Sequence, residues 1–131
     1  MRKLVSILLL STLAPTAMAA SADGIWRTEA NAENAFLEVT VGPCESDNSK
    51  TCGVITRALT EDGVADDYPH LGRVMIADMK DKGDGEYAGG RIWDPERDKE
   101  FKSTMVRSGN KLTVEGCVAF LCDGQTWTLV E

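Results

Sequence analysis

The sequence predicts an all-β protein, a small antiparallel up-and-down barrel of about eight strands. Three observations carry this. Beyond the amino-terminal segment, apolar and polar residues alternate with a period of two, the repeat of a strand with one buried face. The alternating runs are short, closely spaced and separated by clusters of Gly, Asp, Asn and Pro. No stretch in this part of the chain carries a convincing helical period. Sequential short hairpins favour a closed meander or a strongly curved sheet, and a two-sheet sandwich is the alternative.

The elements follow in order. Residues 24–28 read as a short first strand. Ala35, Leu37, Val39 and Val41 alternate with Phe36, Glu38 and Thr40 in a clear second strand. Gly42-Pro43 and the polar run 45–51 form a loop, and residues 52–59 return as a third strand. Residues 60–72, with Asp62, Asp66, Asp67, Pro69 and His70, form the longest irregular stretch and read as a surface loop. Residues 73–80 suit a strand or a helical turn, and 81–85 have the composition of a tight turn. Residues 86–93 form a strand in which Gly89-Gly90 mark a bulge or a close backbone approach. The run 94–98 turns the chain, residues 100–107 form a strand, and Ser108-Gly109-Asn110 make a hairpin turn. Leu112, Val114, Gly116 and Val118 alternate on the next strand, and residues 125–130 close the chain.

The amino end has the order of a secretory signal. Arg2 and Lys3 precede the largely apolar run 4–14, and small residues lead from Pro15 to Ala17-Met18-Ala19. The apolar run is too short to span a bilayer, which takes about 20 residues. Cleavage is expected after Ala19 or Ala20, so residues 1–20 are read as a signal peptide and 21–131 as one domain with one core. The mature protein is therefore expected to be exported, without a stable membrane anchor. The chain has 14 basic and 21 acidic residues, and without Arg2 and Lys3 its net charge is near −9. Such a balance, with no basic run, argues against nucleic acid and against electrostatic binding of anionic lipid. Solubility is explanation enough for the acidity.

Cys44, Cys52, Cys117 and Cys122 all follow the signal. An even count in an exported chain reads as disulfides, with three possible pairings. The local pairing, Cys44 with Cys52 and Cys117 with Cys122, is the simplest, since chain geometry already keeps those partners close. A structural zinc site fits poorly, because seven residues separate the first pair where two to four are usual.

An ordered set of segments carries a family resemblance. They are Gly24-Ile25-Trp26-Arg27-Thr28, Cys52-Gly53-Val54-Ile55, Gly89-Gly90-Arg91-Ile92-Trp93-Asp94-Pro95, Leu112-Thr113-Val114-Glu115-Gly116-Cys117 and Thr126-Trp127-Thr128. The set resembles the small exported bacterial proteins catalogued as domain of unknown function 2147. The resemblance spans nearly the whole mature chain and implies a lipocalin-like barrel and a periplasmic address. It implies no activity. It also adds weight to the local cysteine pairing, because both pairs sit within the matching segments. In one place the chain departs from it. The family usually ends in Trp-Thr-Arg-Val, and here the end is Trp127-Thr128-Leu129-Val130. In lipocalins a late basic residue packs over the Trp of the first strand's Gly-x-Trp. Gly24-x-Trp26 is present, so that cation–π contact is either missing or supplied from elsewhere.

No catalytic constellation stands out. His70 is the one histidine, and its setting in an acidic loop suits a plain surface residue better than a base or metal ligand. No Gly-x-Ser-x-Gly elbow, phosphate loop or dinucleotide fingerprint is present. Asp94 and Glu96 read as turn residues, and Asp81, Asp84 and Glu86 miss the spacing of a calcium loop. No cofactor or metal is implied, and an enzyme is the least favoured reading. The candidate ligand-binding residues are Trp26, Tyr87, Arg91 and Trp93. Alternation puts Tyr87, Arg91 and Trp93 on one face if no bulge intervenes at the glycines, and an Arg among aromatics suits a small amphiphilic acid. The expected function is therefore non-enzymatic binding of a small apolar or amphiphilic molecule. The alternative is an envelope structural or protein-interaction module with a side-chain-filled barrel. Interior volume separates the two, since a ligand cavity should approach about 300 Å³.

Overall fold

The computed structural model describes residues 20–131, and the expected signal segment through Ala19 lies outside them. The strands are β1 (Gly24–Arg27), β2 (Phe36–Pro43), β3 (Thr51–Thr60), β4 (Gly63–Val64), β5 (Val74–Gly83), β6 (Glu86–Asp94), β7 (Lys99–Ser108), β8 (Lys111–Val118) and β9 (Leu121–Leu129). Among the described residues there is no helix. Every pairing is antiparallel, and β2 pairs with both β1 and β3, so eight strands close on themselves. The two-residue β4 folds back on the end of β3. Closure comes from β1 meeting β9, with Trp26 opposite Leu129 and Arg27 opposite Thr128. This is the barrel that the alternation predicts, and the segment 73–80 resolves into strand.

One end of the barrel is tight. Two-residue turns at Asp84-Gly85 and Gly109-Asn110 join β5 to β6 and β7 to β8 there. Asp84, Gly85 and Gly109 have φ of +56°, +78° and +59°, the left-handed region that hairpin turns demand. The β2–β3 loop at the same end is tied by a disulfide between Cys44 and Cys52. The other end carries the longer connections and the β8–β9 hairpin, where Cys117 stands opposite Cys122 and the two form the second disulfide. Both bridges are local, as the simplest pairing has them.

The core fills the tight half. Trp26, Val39, Ile55, Ile76, Met79, Met105 and Leu112 are fully buried and pack in one cluster with Val41 and Tyr87. Gly53 faces Val39 and Ile76 at 3.0 and 3.3 Å from where its Cβ would stand, so those side chains occupy the space that a larger residue would need. The chain before β1 caps this half. The Trp26 Nε1–H donates to the Ala22 carbonyl at 2.8 Å, and the Ala22 N–H donates to the Tyr87 hydroxyl at 2.9 Å. Arg107 of β7 lies over the Trp26 ring, 5.1 Å from its centroid, and its Nη1–H donates to the Ser21 carbonyl. The base over the Gly-x-Trp indole is therefore supplied from β7, by Arg107, and the end of the chain has Leu129 opposite Trp26 instead.

Candidate ligand-binding site

The other half of the barrel holds a cavity of about 980 Å³. Its walls are Leu37, Ala58, Ile92 and Phe101, with Gly116 between Ile92 and Phe101. Met75, Val114 and Trp127 belong both to the packed core and to the cavity lining, and so form its floor. The apolar character follows from the pleat. The inward residues of β2, β3, β6 and β8 are the apolar members of each alternating run, and at this end no side chain is long enough to fill the space between them.

The mouth is polar. Glu29, Asn31, Asp94, Glu96, Arg97 and Asp123 line it along with Tyr68 and His70. Arg97 is engaged by Asp94 at 3.5 Å. The Glu29 carboxylate accepts the Thr126 N–H at 2.7 Å, and this bond bridges from just beyond the short β1 to β9. Tyr68 stands edge-on to His70, and His70 edge-on to Trp93, with centroids 5.3 and 4.9 Å apart. Burial, and then the Glu96 charge, push the Tyr68 phenol above its ordinary pKa. His70 is thus half-buried in an aromatic stack at the cavity mouth, where the sequence suggests a plain surface residue.

None of the four residues that the sequence singles out for ligand contact lines this cavity. The reason is the bulge. The register between β6 and β7 shifts between Tyr87 and Gly90, and Gly89 has φ of +74°. The shift takes Tyr87 out of step with Arg91 and Trp93: Tyr87 and Trp93 are each buried in the core cluster, and Arg91 is exposed. Arg91 binds Glu100 at 2.7 Å and Asp78 at 3.0 Å. Trp93 is roofed by the Arg73 guanidinium at 3.4 Å from its ring centroid, and its Nε1–H donates to Asp98 at 2.9 Å. Trp26 is sealed beneath Arg107. The arginine expected to meet a ligand carboxylate therefore engages two of the protein's own carboxylates. The residues that do form the cavity come from strand ends far apart in sequence. The signal present for them was the inward parity of Leu37, Val114 and Gly116.

The sequence profile of the family described as "uncharacterized protein conserved in bacteria (DUF2147)" matches residues 24–129. The chain belongs to this family. The match runs from β1 to the end of β9, so the whole barrel of this DUF2147 protein is the family unit. Among solved structures it is similar to protein HP1028 from the human pathogen Helicobacter pylori, described as belonging to the lipocalin family. That likeness has a TM-score of 0.65 and 17% identity, and it covers 83% of this chain and 82% of the other. It establishes the lipocalin-like fold. No curated protein sequence matches the chain significantly.

Proposed function

We propose that this DUF2147 protein is a non-enzymatic binder of one small apolar or amphiphilic molecule. The observation that carries the reading is the cavity of about 980 Å³, apolar at its floor and open at one end of a barrel whose other end is packed solid. Its volume lies at the upper end of the range usual for small-molecule sites, about 300–1,000 Å³. The lipocalin-like fold supports the reading by analogy only, since fold does not fix function. The mouth refines the ligand class. Carboxylates of Glu29, Asp94, Glu96 and Asp123 line it, and its one guanidinium among the described residues, Arg97, faces Asp94. A neutral or cationic polar end suits this rim, whereas a carboxylate would meet like charge. The amphiphilic acid suggested by Arg91 is disfavoured on the same grounds.

Native mass spectrometry of protein purified from its producing cell without detergent tests the proposal. A retained mass that organic extraction removes is expected, and an unliganded mass alone under gentle ionisation would count against it. The protein acts, on this reading, in the periplasm. Two disulfides support an oxidising compartment. Amino-terminal sequencing of the exported form should begin at Ala20 or Ser21, and an intact Met1 would refute export by cleavage.

A further inference from the structure

The β8–β9 hairpin breaks the turn chemistry that the rest of the barrel obeys. Val118 pairs with Leu121, leaving Ala119 and Phe120 as the two turn residues. Ala119 has φ of +55°, a conformation that Gly, Asn or Asp adopts far more readily. The two-residue turns at the tight end use Asp84-Gly85 and Gly109-Asn110, the ordinary polar and flexible choices. At the open end the corresponding turn reads Val118-Ala119-Phe120-Leu121. Phe120 is 89% exposed, Leu121 71% and Val118 62%, the three most exposed large apolar side chains among the described residues. A local rule broken this consistently, at a tip that the described residues leave exposed, points to a contact outside it.

We propose that this tip docks the open end of the barrel on a lipid bilayer of low charge. Three features fit a bilayer better than a protein partner. First, the tip is a projecting point held from behind by the Cys117–Cys122 bridge, two directly opposed residues. A point of four residues falls short of the roughly 1,200 Å² that a stable protein interface buries, but a membrane interface accepts a few inserted apolar side chains. Second, Val118 and Leu121 also line the cavity mouth, so the apolar surface runs unbroken from the tip into the barrel. Val64, 48% exposed, pairs with Leu59 near the end of β3 at this same end. Third, the charge selects the surface. Glu29, Asp94, Glu96 and Asp123 ring the mouth, and they would repel both an anionic leaflet and the identical rim of a second copy. Zwitterionic lipid meets neither objection. The docking goes beyond ligand binding and does not depend on it. The tip seats on the bilayer whether the cavity is full or empty.

Co-sedimentation of the full disulfide-bonded exported protein with phosphatidylcholine vesicles tests this. The wild type is expected to partition onto the vesicles. Phe120→Ser should weaken the partition coefficient by about tenfold, in line with removing one large apolar side chain from the contact. Because the described residues leave Phe120 89% exposed, the far-UV circular dichroism and Tm of Phe120→Ser should stay unchanged. Phe120→Trp should keep the binding and show a blue shift in emission when vesicles are added, against the constant background of the three buried tryptophans. Doping the vesicles with phosphatidylglycerol at low salt should weaken binding. Failure of the wild type to sediment with phosphatidylcholine, or equal sedimentation of Phe120→Ser, would overturn the proposal. So would a wild-type dimer that Phe120→Ser dissociates while vesicle binding stays as it was, since the tip would then be a protein contact.

Discussion

Replacing Arg107 with alanine should loosen the sealed end of the barrel, and the size of the effect can be worked out contact by contact. The guanidinium stands 5.1 Å from the Trp26 ring centroid at a half-exposed position, where a cation–π contact contributes about 1 kcal/mol. Its Nε–H donates to the Gly109 carbonyl at 3.0 Å, and its Nη1–H donates to the Ser21 carbonyl. Water replaces part of each bond after truncation, which leaves roughly 0.5–1 kcal/mol apiece. The three contacts share one side chain and do not add fully, so the expected loss is about 2 kcal/mol. For a domain of this length that corresponds to a fall in Tm of about 8 °C by scanning calorimetry on the disulfide-bonded protein. A double-mutant cycle with Trp26→Leu isolates the ring contact and should return a coupling near 1 kcal/mol. Because residue 129 lies directly opposite Trp26, Leu129→Arg in the Arg107→Ala background should recover part of the loss. A Tm within about 1 °C of wild type for Arg107→Ala, or a coupling indistinguishable from zero, would refute the assignment of Arg107 as the residue that caps the indole.

Two further substitutions probe the bulge and the buried phenol. Gly90→Ala would set a Cβ 2.5 Å from the Ala77 carbonyl oxygen and 2.7 Å from the Met79 sulfur. Backbone cannot step aside, so urea unfolding should show a loss of about 2–3 kcal/mol, and an unchanged midpoint would contradict the close approach of β5 and β6. Tyr87→Phe leaves the buried Ala22 N–H without its acceptor and should cost about 1–3 kcal/mol. Burial raises the Tyr87 pKa above its ordinary 10.0, against a smaller opposing effect of the Ala22 bond. The stability linked to that shift is full below about pH 10 and is lost as pH rises through the folded-state value. Urea midpoints followed into the alkaline range should therefore fall in the wild type and flatten in Tyr87→Phe, and parallel curves would contradict the linkage.

The barrel was legible because alternation is a local signal. Val39 and Val41 against Thr40 already mark which face of β2 is buried, and Asp84-Gly85 and Gly109-Asn110 already mark two of the barrel's turns. The cysteine pairing was legible for the same reason, each partner lying one hairpin away. The site was not. Gly89-Gly90 signals a bulge, but whether the parity flips depends on how β7 registers against β6, which is a property of two strands. Tyr87, Arg91 and Trp93 were grouped by spacing and then separated by that flip. The start of β9 at Leu121, ahead of the expected residue 125, was hidden because Ala119-Phe120 lacks turn residues. The cavity itself is a sum over strand ends, and no short stretch of sequence records a volume.

Fluorescence titration with a neutral naphthylamine probe tests most directly whether the apolar half of the barrel is a binding site. Leu37 lines the cavity, whereas Val74 is 47% exposed on the barrel's outer wall. The wild type and Val74→Trp should bind one probe per chain with the same Kd, and Leu37→Trp, which fills the cavity, should weaken binding about tenfold or more. Equal binding by Leu37→Trp and the wild type, or no saturable binding by either, would contradict it.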